Sequence, residues 1–114
     1  MSKVRKSEIK IKVLTNENNV PESISWSAED GGVDNANSKA MILSLWDKDE
    51  MNAMRIDLWT KDMTVDEMKK FFHQTLLTMA DTFEKSTGEK NITEDLRDYC
   101  AHFAEKMDIL PPLS

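Results

Sequence analysis

The chain has few of the residues that staple or loosen small proteins. It carries one cysteine, Cys100, in 114 residues. No internal disulfide can form, which fits a reducing compartment. Glycine and proline number three each, which argues against collagen-like repeats, elastic repeats and long flexible linkers. No run approaches the roughly 20 consecutive apolar residues of a membrane-spanning helix. The opening MSKVRKSEIKIKVLT alternates charged and apolar residues and lacks the apolar centre of a secretion signal. The expected location is the cytoplasm, with no stable membrane insertion. An excess of positive charge is missing too. The formal net charge is -6, so a nucleic-acid partner is not expected, because such binding relies on Lys and Arg displacing phosphate counterions. The basic cluster Lys3, Arg5 and Lys6 has no apolar stretch beside it to reach a membrane, and reads as a solvated N-terminus.

What is present suits one folded domain over residues 1–114. Hydrophobic residues make up 39% and charged residues 32%, enough to form a core and stay in solution. SEIKIKVL (7–14) sets Ile9, Ile11 and Val13 against Lys10 and Lys12, the alternation of a half-buried strand. After the turn-forming NENN, VPESISWSA (20–28) resumes it with Ile24, Trp26 and Ala28. Pro21 has no N–H for a ladder and belongs at a strand start or an edge. EDGGVDNANS (29–38) reads as a flexible polar loop. KAMILSLW (39–46) and NAMRIDLWT (52–60) flank DKDE as a second hairpin.

A helix follows at once. Thr64 with Glu67 makes a capping box, and Met63 with Met68 stands where a hydrophobic staple is needed. Val65, Met68, Phe72, Leu76, Met79 and Phe83 form a stripe at helical spacing, with Phe72 expected at the centre of the core. Gly88 lies where a C-terminal cap belongs. A second helix is expected from about Asn91, with Glu94 three residues on. Its stripe is Ile92, Leu96, Tyr99, Cys100, Phe103 and Met107, and Pro111 and Pro112 stop it before a tail at 110–114. The expected fold is α+β: a four-stranded antiparallel sheet of two hairpins, then two helices packed on one face, a topology similar to SecB-like export chaperones.

No motif supplies a catalyst, cofactor site or metal site. His73 lacks a carboxylate or thiolate at i+3 or i+4, and His102 has only Glu105 there, short of the ligand set a zinc site needs. Cys100 lies on an apolar stripe near Asp95, Asp98 and Glu105, the setting of a structural thiol and not of a nucleophile. DKDEMN (47–52) starts like a calcium loop but has Met51 at a ligand position and Asn52 where glycine is required. The chain therefore reads as a protein that is not an enzyme and works by contact.

One surface invites a partner. If Met41, Leu43, Leu45, Met54, Ile56 and Leu58 face the core, then Ile42, Trp46, Met51 and Trp59 face outward, among Ser44, Arg55 and Asp57. Phe71 and Leu77 also point off the main helical stripe. An apolar patch rimmed by charge often marks a contact surface, for another protein or for a second copy of the chain.

The segment MRIDLWTKDMTVDEMKKFFHQTLLTMADTFEKSTG (54–88) resembles the gliding-motility-associated GldC family. The similarity extends to SEIKIKV and VPESISW at the front and to DLRDYCAHFAEKM at the back. RIDLWTKDM is its most specific string. The resemblance implies a small, soluble, non-catalytic accessory protein of gliding motility and its associated secretion machinery, with a protein partner there. The alternative, taken from the SecB-like topology alone, is a holdase that binds unfolded client chains.

Overall fold

Five strands and two helices are found in residues 3–109, the part of the chain that this computed structural model describes. The strands are β1 (Lys10–Thr15), β2 (Pro21–Ala28), β3 (Val33–Ser38), β4 (Ala40–Trp46) and β5 (Ala53–Trp59). The helices are α1 (Val65–Thr87) and α2 (Lys90–Lys106). The tail at 110–114, with Pro111 and Pro112, lies outside the described residues. The chain divides into two units, one reaching to Met63 and one starting at Thr64.

In the first unit, β1 and β2 pair antiparallel as the alternation requires, with Ile11 opposite Trp26 and Val13 opposite Ile24. The turn between them is made by Asn16. Its Oδ1 accepts the N–H of Asn18 at 2.8 Å and of Val20 at 3.1 Å. Asn19 takes a left-handed φ of 61°, which asparagine tolerates better than most residues. Pro21 opens β2, where its missing N–H costs least.

Two expectations are corrected here. The segment 29–38 is not a loop, because it holds a 3-10 turn and strand β3. Nor do the two hairpins merge into one four-stranded sheet. β3 pairs with β2, giving a three-stranded sheet β1-β2-β3, while β4 and β5 form a separate two-stranded ribbon. The reason is local. With β1 on one edge of β2 and β3 on the other, the second hairpin finds no free edge there. Only Lys39 separates β3 from β4, so one nearly continuous extended segment pairs with β2 over its first half and with β5 over its second. The Lys39 carbonyl accepts the N–H of Thr60 at 2.7 Å and its hydroxyl at 3.2 Å, carrying the ribbon one step beyond β5.

In the second unit, the capping box of α1 is complete. Thr64 Oγ1 accepts the Glu67 N–H at 3.1 Å, and Glu67 Oε1 accepts the Thr64 N–H at 3.0 Å. Gly88 closes the helix at φ 74°, its N–H donating to the Glu84 carbonyl at 2.8 Å. α2 starts at Lys90 without a side-chain cap, one residue ahead of the expected start. The Thr93 hydroxyl instead donates back to the Glu89 carbonyl at 2.6 Å. α2 ends by its own device before the prolines. Asp108 sits at φ 55°, its N–H donates to Glu105, and the Ile109 N–H donates to Ala104 at 2.8 Å. These are the two bonds of a Schellman cap. Among the described residues no helix is long and apolar enough to cross a membrane.

On α2 the seam includes Leu96, Cys100, Phe103 and Met107 of the expected stripe, but on α1 it is not the stripe that hydropathy selects. Ala80 of α1 and Thr93 and Cys100 of α2 are fully buried. His73 stacks on Phe103 at a ring separation of 6.4 Å. Phe72, expected at the core, is 44% exposed, and Val65, Met79 and Phe83 are exposed with it. On α1 the seam thus lies about one residue round the helix from the stripe, or about 100°. The cause is size: alanine, threonine and cysteine let two backbones approach more closely than phenylalanine does.

Candidate interaction surface

The β4–β5 ribbon carries the surface that its sequence singles out. Its register sets Met41 opposite Leu58, Leu43 opposite Ile56 and Leu45 opposite Met54. These six share one face. Ala40 lies opposite Trp59, Ile42 opposite Asp57, Ser44 opposite Arg55 and Trp46 opposite Ala53. These eight share the other, here called the outer face. Trp46 is 68% exposed, Trp59 57% and Ile42 39%.

The aliphatic face is less covered than expected of a core. Leu45, Met54 and Ile56 are each more than half exposed, while Met41, Leu43 and Leu58 are half-buried. Being a separate two-stranded sheet, the ribbon lacks neighbouring strands to shelter it, and such a hairpin has little stability of its own.

The turn at the Trp46 end is built on Asp47. Its Oδ2 accepts the N–H of Glu50 at 2.7 Å and of Asp49 at 3.2 Å, and its carbonyl accepts the Met51 N–H at 3.0 Å. Asp47 therefore organises backbone here. Met51 is 71% exposed and takes a left-handed φ of 55°, a conformation that favours glycine. Met51→Gly is expected to raise stability by about 0.5–1 kcal/mol by relieving this strain, as measured by urea denaturation. Unchanged or lower stability would show that the methionine side chain holds the turn by packing.

The remaining surface candidates lie on α1. Leu77 is exposed and Phe71 is half-buried, its ring edge-on to Phe72 at 6.3 Å. Ile42, Trp46 and Trp59 share one ribbon face, with the two tryptophans at opposite ends and Met51 in the turn at the Trp46 end. Phe71 and Leu77 belong to the other unit.

The side chains weighed for chemistry take structural places. His73 is half-buried in the helix seam against Phe103, and the His102 ring lies 5.9 Å from Tyr99. Burial pushes the Cys100 thiol up from its ordinary value, away from the thiolate a nucleophile requires. Among the described residues no group of three His, Cys, Asp or Glu side chains could hold a metal ion. A hollow of about 340 Å³ near the start of β1 is lined by charges of both signs, including Lys6, Glu8, Lys10 and Asp34. Several are already paired: Glu8 with Lys6 at 3.1 Å and with Lys10 at 3.6 Å. A shallow apolar groove of about 190 Å³ runs beside Ile11, Ile24, Trp26 and Met41.

Sequence reasoning passed over Arg97. Its guanidinium reaches Asp81 and Glu84 of α1 at 3.0 Å each, and Glu94 of its own helix at 2.7 Å. Hydrogen bonds to Asp81, then Glu84, then Glu94 hold it above its ordinary pKa. The local pair with Glu94, three residues away, was legible in the sequence. The two partners across the seam were not.

No curated protein and no solved structure matches the chain. A family model described as gliding motility-associated protein GldC-like matches residues 21–109. That span runs from the first residue of β2 through both helices and covers most of the chain. The chain belongs to the GldC-like family of gliding motility-associated proteins.

Proposed function

We propose that the chain is a non-catalytic accessory component of gliding motility and its associated secretion machinery, acting by protein–protein contact through the outer face of the β4–β5 ribbon. Family membership associates it with gliding motility. The contact reading is carried by one observation: Trp46 and Trp59 stand on the same face of the ribbon, each more than half exposed. Burying one large apolar side chain contributes about 1.5–3 kcal/mol, and an exposed indole gains little of this. Tryptophan is also enriched among the few residues that dominate interface energetics. A face holding two of them in water therefore fits a surface that is covered when the protein works.

The test places a photoreactive amino acid at Trp59 in gliding cells. The expected result is a discrete crosslinked species containing this chain, absent when the group is moved to Glu17 in the turn between β1 and β2. No crosslink at Trp59 would contradict the contact. Broad crosslinking, together with suppressed aggregation of unrelated unfolded proteins, would point to a SecB-like holdase.

A further inference from the structure

We infer that the outer face of the β4–β5 ribbon binds a second copy of this chain, the two ribbons stacking about a two-fold axis that runs across their strands. The inference rests on the contact role proposed above and names the occupant. It comes from the register of the ribbon. Its outer face has four rows, with Ala40 beside Trp59, Ile42 beside Asp57, Ser44 beside Arg55 and Trp46 beside Ala53. Each end row holds one tryptophan and one alanine. The two tryptophans are on different strands, at diagonal corners. The middle rows hold isoleucine and serine on β4, and one charge of each sign on β5.

A two-fold axis across the strands, lying between two such faces, lays β4 on β4 and β5 on β5 with the row order reversed. Ala40 then faces Trp46 of the second copy, and Trp59 faces Ala53 of the second copy. Ile42 faces Ser44, and Asp57 faces Arg55. Large meets small at every apolar position, and each charge meets its opposite. The operation generates each pair twice, as a closed isologous interface requires. Stacked sheets lie about 10 Å apart. Tryptophans from both sides would crowd such a gap, whereas tryptophan over alanine fits it.

The competing two-fold axis, along the strands, also lays tryptophan on alanine. It sets Asp57 on Ile42 and Arg55 on Ser44, however, taking both charges from water without a facing opposite charge. Charge complementarity selects the first arrangement. The aliphatic face of the ribbon holds no comparable pattern and would accept any apolar surface. A face of four rows is at the small end of specific interfaces, so the dimer is expected to exchange with monomer.

The test is sedimentation of the intact chain over a concentration series. The expected mass rises from one chain towards two. Asp57→Arg sets a positive charge against Arg55 of the second copy, and Arg55→Asp sets a negative charge against its Asp57. Each single change is expected to weaken the dimer by about tenfold or more. The double exchange restores facing opposite charges and should return affinity to within about threefold of the original. Circular dichroism checks that the variants fold, and Trp46→Ser weakens the dimer independently of charge. A wild-type chain that stays monomeric throughout overturns the inference, and so does a double variant as weak as the singles. A monomeric chain that still crosslinks at Trp59 in cells would remove the second copy as occupant and leave the contact role standing.

Discussion

Truncating Ile24 to alanine is expected to cost about 2–5 kcal/mol of stability, the largest effect of any single substitution considered. Ile24 is 2% exposed and is the largest fully buried side chain among the described residues. It sits in β2, the central strand, opposite Val13 on one side and Ser38 on the other. Among the described residues, the only other buried apolar side chains are Ala80 and Cys100, both in the helical unit. The three-stranded sheet therefore has no second fully buried aliphatic residue to compensate. Small domains have only about 5–15 kcal/mol in total, so the loss takes a large share of it. Ile24→Val, which removes one methylene, should cost about 0.5–1.5 kcal/mol. Urea denaturation of both variants checks the pair. A loss below about 1 kcal/mol for Ile24→Ala would place the residue outside the core.

Enlarging Ala80 to leucine is expected to destabilise the helix pair by about 1–3 kcal/mol. Ala80 has no exposed surface, and Thr93 and Cys100 are as fully buried on the partner helix. Three further carbon atoms would force α1 and α2 apart. They would also disturb the Arg97 bonds to Asp81 and Glu84, which need the present spacing. Leucine is nearly as good a helix former as alanine, so the change isolates packing from propensity. Thermal unfolding followed by circular dichroism measures it. A neutral result would move the seam elsewhere on α1.

These two positions show what the sequence reveals and what it conceals. Alternation in SEIKIKVL and VPESISWSA disclosed β1 and β2 and the shared face of Ile11, Val13, Ile24 and Trp26, because a half-buried strand must alternate. The Thr64–Glu67 box and Gly88 marked both ends of α1, because helix ends need those chemistries locally. β3 was hidden, because VDNANS lacks alternation and has only Val33 and Ala36 as apolar residues. It is held by pairing with β2 and by a bulge at which the Asn35 N–H donates to Ser27 Oγ at 2.9 Å. The division into two sheets depends on that strand and was hidden with it. The helix seam was misplaced because hydropathy weights Phe72 and Met79 above Ala80 and Thr93, whereas close helix packing favours the small residues. The outer ribbon face was legible from period two alone, since Ile42, Trp46 and Trp59 fall out of phase with the aliphatic residues of their own strands.

The contact role of that face is tested most directly in gliding cells that lack this chain. They are supplied with wild-type protein, or with Trp46→Ser and Trp59→Ser combined, at matched levels and with folding checked by circular dichroism. Both side chains are exposed, so their loss should cost the isolated protein little stability. The expected result is that the wild-type chain restores spreading and the double variant, folded and abundant, does not. Full spreading with the double variant would contradict a contact made through Trp46 and Trp59.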